Sequence, residues 1–198
     1  MDKKLNSGAR CVLMPTEPDR LALLDLAATQ GGLFSRAQAA ARGFSDAVLS
    51  RQVHAGRFSR VRRGIYRIRG ATFDPNEALI ALWLATDGAA VFVDETALVL
   101  HGLSDVLPTR VHLALPPPKR RLQLGKDVAV QWREIPPLER SWAANLPVTS
   151  VFRTLLECAT AGLGSDQLGQ ATAQARDRGL LELDQVAALA DAIERGNR

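Results

Sequence analysis

Between Arg42 and Arg69 stand eight arginines, one acid, Asp46, and no lysine. A guanidinium is a planar fork that donates in pairs, so a stretch of this kind suits bidentate contacts to phosphate or to guanine. Ser45, Ser50 and His54 are interspersed with these arginines and can exchange hydrogen bonds with base edges. The chemistry these residue types offer is recognition of a polyanion.

The charge is unevenly placed. The chain carries 25 Lys plus Arg against 21 Asp plus Glu, a formal net charge of +4. Residues 1 to 75 hold 13 basic and 6 acidic side chains, whereas residues 76 to 198 hold 12 and 15. A basic end beside an acidic remainder is the electrostatic footprint of a nucleic-acid-binding segment.

Positioning these side chains takes helices and a hairpin. Ser35 and Gln38 form a capping box that opens a helix through Ala41, and Gly43 ends it. Ser45 repeats the N-cap signal, and Gly56 stops a second helix running from Asp46 to Ala55. On that helix Leu49 and Val53 face inward, while Ala47, Ser50, Arg51 and His54 fall opposite. After Gly56 the pattern switches to period two, with Phe58, Val61, Ile65, Tyr66 and Ile68 as strand formers around a tight turn at Arg63-Gly64. An earlier helix from Arg20 to Gln30 presents Leu21, Leu24 and Ala28 on one face.

Helix, short link, crossing helix and basic hairpin make the layout of a winged helix-turn-helix. In that layout Ser45, Ala47, Ser50, Arg51 and His54 meet the major groove, with Arg51 the candidate guanine contact. Arg57, Arg60, Arg62, Arg63 and Arg67 hold phosphates or enter the minor groove, and Ser35 and Arg36 sit at the start of the first crossing helix. The alternative is an ordinary solvated hairpin whose arginines keep it soluble.

The rest reads as a mixed domain. Helices are expected over 77–84 and 95–100, a short strand or helix start at 89–93, and strands over 110–116 and 128–135. A helix capped by Thr149 or Ser150 should run to Thr160, with further helices over 167–178 and 184–194. The predicted fold is therefore α+β. A flexible N-terminal tail spans 1–17, a winged helix-turn-helix 18–70 and a small mixed α/β domain 76–198, divided at the Pro75 stretch.

Other candidate groups have bland readings. His101, Ser104 and Asp105 lack a nucleophile elbow, so His101 is expected to cap carbonyls at a helix end. Asp94 is expected to N-cap the following helix instead of joining Glu95 or Glu134 in a metal site. Arg153 pairs with Glu157 at i,i+4, binds an anion or holds the domain together. Lys119, Arg120 and Arg121 form a solvated loop or touch a partner, and Trp83, Trp132 and Trp142 are core or interface residues. Two cysteines, Cys11 and Cys158, are too few and too far apart for a disulfide framework or a zinc site. With no 18-residue apolar stretch and no signal-peptide pattern, a soluble, cytoplasmic protein with no membrane association is expected.

The chain resembles the AbiEi family of antitoxins and transcriptional regulators. The residues that carry the resemblance are Gly31-Gly-Leu-Phe-Ser-Arg-Ala-Gln38 with Arg42-Gly43, Gly56-Arg-Phe58 and Val61-Arg-Arg-Gly-Ile-Tyr66. Further along come Glu95-Thr-Ala-Leu-Val-Leu-His-Gly-Leu103, Leu107-Pro108, Leu146-Pro-Val-Thr149 and Arg153-Thr-Leu-Leu156. The resemblance implies a winged-helix domain followed by an antitoxin domain, in a protein that represses its own operon at repeats in its promoter. It also implies a genetic partner, an AbiEii-like nucleotidyltransferase toxin of abortive-infection systems, opposed without a stable complex. No cofactor, metal or catalytic residue is expected. Lacking coiled-coil heptads, the chain should be a monomer that meets other copies cooperatively on repeated half-sites. The competing classes are a nuclease or other DNA-modifying enzyme that uses the winged helix for delivery, and a protein-interaction module.

Overall fold

The computed structural model describes residues 18–117 and 124–196. The expectations for the 1–17 tail, with Cys11, and for Lys119, Arg120 and Arg121 lie outside the described residues. Among those described, eight α-helices and two sheets make a mixed α+β fold, and no helix is long and apolar enough to cross a membrane.

The first helix, α1 (Arg20–Ala28), starts where Asp19 accepts from the Ala22 amide at 2.9 Å. Its buried stripe is Leu23 and Ala27, not the expected Leu21, Leu24 and Ala28: Leu21 is 69% exposed and Ala28 is also exposed. With apolar residues nearly all round, this helix has no single stripe that periodicity can choose. Strand β1 (Leu33–Ser35) follows, then α2 (Arg36–Ala40), α3 (Asp46–His54), β2 (Phe58–Arg62) and β3 (Ile65–Ile68). The sequence reading missed β1, three residues hidden between a glycine pair and a capping box. The three strands order as β1-β3-β2 with both pairings antiparallel. Gly32 stands at φ +80, and an added Cβ there would lie 2.3 Å from that of Ala71, so only glycine fits where the chain enters β1.

Between the helices and this sheet lies a core of Leu23, Ala27, Phe34, Ala39, Phe44, Leu49, Phe58 and Tyr66. The Phe34 ring meets Phe58 edge-on at 5.0 Å and stacks on Tyr66 at 5.7 Å. Because Phe34 is fully buried, its truncation to Ala should cost about 3–5 kcal/mol.

Next come α4 (Glu77–Ala85), β4 (Val91–Phe92), α5 (Asp94–Leu100), β5 (Val111–Leu115) and β6 (Val128–Trp132). A single 3-10 turn at Pro137–Glu139 leads into β7 (Arg140–Ala143) and β8 (Leu146–Thr149), then α6 (Val151–Thr160), α7 (Ser165–Asp177) and α8 (Leu183–Gly196). The five-stranded sheet orders as β6-β5-β4-β8-β7, with β4–β8 and β5–β6 parallel. The β7–β8 hairpin was also unexpected. Its two turn residues, Ala144 and Asn145, both have positive φ, +48 and +60, as a tight two-residue hairpin needs. Trp132 and Trp142 sit on the outermost strands, β6 and β7, and are 50% and 66% exposed; only Trp83 approaches the core reading.

One hydrophobic cluster joins the two sheets. Leu33 and Ile65 of the first sheet pack with Ile80, Ala81 and Leu84 of α4, which reach on to Phe92, Leu113 and Val148. Residues of α5 through α8 form a second cluster around Leu98, Leu155, Cys158 and Leu168.

Candidate nucleic-acid interface

On α3 the Ser45 side chain accepts from the Val48 amide at 3.3 Å, closing the first turn. Leu49 is buried and Val53 half-buried, which turns Ala47, Ser50, Arg51 and His54 to solvent. The Arg51 guanidinium has no hydrogen-bond or ion-pair partner among the described residues. His54 places Nδ1 2.8 Å from the Ser50 carbonyl. A carbonyl only accepts, so Nδ1 carries the hydrogen, and in the neutral ring Nε2 is left as an outward acceptor.

The Ser35 hydroxyl accepts from the Gln38 amide at 3.1 Å, and the Gln38 side chain accepts from the Ser35 amide at 2.9 Å. Ser35 is buried, so its hydroxyl serves the helix and its effect on the surface is to place Arg36. The Arg36 amide donates to the Gly64 carbonyl in the hairpin turn at 2.7 Å. Its guanidinium forks onto Asp46, Nε to Oδ1 at 2.6 Å and the second nitrogen to Oδ2. This hydrogen bond and the Asp46 charge raise the Arg36 pKa above its ordinary value.

The five hairpin arginines divide into two groups. Arg57 is exposed and donates to Gln52 at 3.3 Å; Arg60 lies over the Tyr66 ring, 5.7 Å from its centroid; Arg63 is exposed at the turn, its guanidinium without a partner among the described residues. Arg62 and Arg67 turn toward the second half of the chain. Arg62 donates to the Leu124 carbonyl at 2.6 Å, and Arg67 lies 3.3 Å from Glu77 while donating to the Ala71 carbonyl at 3.2 Å. A groove of about 1300 Å³ runs beside α3, lined by Arg36, Ser50, His54, Arg60 and Arg63 and walled at one side by Leu84 and Leu124. Sequence reasoning counted Asp46 as the one acid among eight arginines and gave it no role, although that isolation was itself a signal.

In the second half the aspartate expected to cap α5 does not do so. The N-cap is Val93, with no side-chain cap, and Asp94 is the first helical residue, at φ +49. Its buried carboxylate accepts from His112 Nδ1 at 3.2 Å and from Gln131 at 2.5 Å. Burial pushes its pKa up, and the nearby Glu157 adds to this. Arg133 donates to Gln131 at 2.8 Å and to Glu157; Arg153 reaches Glu157 at 2.7 Å and Glu139 at 3.3 Å. Of the three roles open to Arg153, the structure displays two: the i,i+4 pair with Glu157 and, through Glu139, a tie between α6 and the 3-10 turn.

His101 also differs from expectation. Its Nε2 lies 2.8 Å from the Thr149 carbonyl of β8, and it is Arg178 that donates to the His101 and Gly102 carbonyls at the end of α5. Burial lowers the His101 pKa. Burial pushes the Cys158 thiol up to about 12, which makes it inert as a nucleophile. Among the described residues, no group of three or more His, Cys, Asp or Glu side chains could hold a metal ion.

Residues 22–69, nearly all of the segment from α1 through β3, match a family described as transcriptional regulators, AbiEi antitoxin. The match supports an antitoxin or transcriptional-regulator role. No curated protein matches the chain. Among solved structures, that of the RV2827C protein from Mycobacterium tuberculosis is similar at 18% identity and a TM-score of 0.48, over 88% of this chain and 78% of that one.

Proposed function

We propose that residues 18–70 are a winged helix-turn-helix that binds double-stranded DNA, and that the protein is an antitoxin repressing its own operon. Supporting this are the family match and, above all, one observation: α3 exposes Ala47, Ser50, Arg51 and His54 beside a groove bordered by Arg36, Arg60 and Arg63. In this reading α3 enters the major groove, where Ser45, Ala47, Ser50, Arg51 and His54 face base edges. Arg36, Arg57, Arg60 and Arg63 meet phosphates on either side. Arg62 and Arg67, engaged by Leu124 and Glu77, hold the hairpin in place and add long-range positive potential.

Residues 76–198 would be the antitoxin region, opposing a nucleotidyltransferase-type toxin encoded beside it, in the cytoplasm and without catalysis of its own. Asp94, which an enzymatic reading would need, is committed to His112 and Gln131. Monomers would meet cooperatively on repeated half-sites. The test is a gel shift with DNA from upstream of the gene against a scrambled duplex at several salt concentrations. Sequence-preferring retention, with log K falling by roughly 4 to 5 per tenfold rise in salt if about five phosphates are neutralised, is expected. Equal weak retention of both duplexes would reduce the site to a basic surface.

A further inference from the structure

Asp46 is the one acid among eight arginines between Arg42 and Arg69, and it stands at the first turn of the helix proposed to read bases. It is not the cap, which is Ser45. Its carboxylate instead takes the Arg36 fork, one N–H to each oxygen, although the two side chains are 65% and 62% exposed. An ion pair so open to water adds little to stability, and the acid opposes any polyanion that approaches.

The pair nevertheless sits where three elements converge. Arg36 begins α2, Asp46 begins α3, and the Arg36 amide is fastened to Gly64 in the hairpin turn. Both side chains line the groove with Ser50, Arg60 and Arg63. A carboxylate has about four acceptor sites and a guanidinium five N–H groups. The fork uses two of each, leaving Arg36 an outer edge for a phosphate and Asp46 two lone-pair positions that can only accept. In the major groove those positions match the exocyclic amine of cytosine or adenine, and they repel guanine O6 and N7 and thymine O4.

We propose that Asp46 is a specificity-determining residue of this face: its carboxylate fixes Arg36 against the backbone and selects an amine-bearing base, cytosine or adenine, beside it. The inference rests on the DNA-binding reading above. Asp46 thus gives up general affinity for discrimination, a signature that a merely structural ion pair would not leave.

The experiment compares the full chain with Asp46→Ala and Asp46→Asn by fluorescence anisotropy. The duplexes are the upstream DNA, its single base-pair substitutions and a scrambled control, and thermal unfolding by circular dichroism checks that each variant folds. The wild type should prefer cytosine or adenine at one position by roughly 5- to 100-fold. Asp46→Ala should lose that preference and bind the scrambled duplex more tightly. Asp46→Asn, which keeps the shape and gains an N–H donor, should accept guanine or thymine there. An Asp46→Ala profile identical to the wild type, with salt-sensitive binding retained, overturns the role of Asp46 and leaves DNA binding standing. Failure of the wild type to bind any duplex in a salt-sensitive manner removes both.

Discussion

The Arg62 guanidinium donates to the carbonyl of Leu124, 62 positions further along the chain, at 2.6 Å. Its immediate neighbour Arg63 has no such partner and stands exposed at the hairpin turn. Two adjacent arginines of identical chemistry are therefore set to different tasks by where the strand ends. Arg67 repeats the division, with Glu77 and the Ala71 carbonyl holding it on the same side.

Substituting each of the pair separately should expose this. A hydrogen bond from a charged group contributes about 1.5–3 kcal/mol, so Arg62→Ala should lower stability by roughly that amount and Tm by about 2–4 °C for each kcal/mol. Arg63→Ala should leave Tm nearly unchanged, lower affinity for all DNA sequences alike and reduce the salt slope by about 0.9. Melting curves and salt-titrated binding check both. Matching effects from the two variants would mean that the Leu124 contact does not divide their roles.

Arg51 should behave differently from every hairpin arginine. Its guanidinium projects from the exposed face of α3 without a partner among the described residues, so Arg51→Ala should be silent in stability, within about 0.5 kcal/mol. In binding it should cost about 1–3 kcal/mol at one base pair and little elsewhere. A set of single base-pair substitutions measured against wild type and variant decides this; a uniform loss across the set would make Arg51 a phosphate contact.

How much of this was legible depended on whether the signal was local. Ser35, Gln38, Ser45 and Gly43 announced two helices because capping is settled within four residues; the structure places the Ser35–Gln38 box and the Ser45 N-cap as expected, and α2 has its C-cap at Ala41, two residues before Gly43 at φ +80. The outward face of α3 could be read because a single buried side chain, Leu49, anchors its wheel. Strand β1 could not, since three residues paired to Ile65, Tyr66 and Arg67 acquire strand character only from partners 30 to 34 positions away. The same holds for β7 and β8, whose Pro147 argues against a strand until Trp142 is seen opposite it.

Side-chain roles set by distant partners were equally hidden. Asp94 followed a strand and preceded a helix, which is the N-cap pattern; in the fold its carboxylate is buried and accepts from the half-buried His112 and Gln131, and the cap falls at Val93. The arginines of the hairpin looked equivalent because nothing local tells Arg62 that Leu124 will stand beside it.

The capping box offers a third test. Ser35→Ala should destabilise the chain by about 1 kcal/mol, and Gln38→Ala should do less than its own full effect when added to it, because the two caps are reciprocal. Urea unfolding of the two single variants and the double variant measures the coupling. Strict additivity would mean that the Ser35–Gln38 pair does not act as one unit.

The fourth concerns acid. His101 is held with Nε2 on the Thr149 carbonyl, and burial lowers its pKa below the ordinary 6.5. A histidine depressed in the folded state gives stability that is present above pH 6.5 and lost as pH falls toward its folded value, because the unfolded chain takes up the proton first. The slope is at most about 1.4 kcal/mol per pH unit. Asp94 works in the opposite direction: its raised pKa means that acidification toward the ordinary carboxylate range relieves a buried charge. A single pH profile therefore sums two opposing contributions, and the His101 share has to be isolated by difference. His101→Gln keeps a donor that can reach Thr149 and removes the titration. Urea unfolding between pH 7.5 and 5 should show the wild type losing stability faster than this variant, and parallel profiles would mean that His101 takes up its proton equally in the folded and unfolded chains.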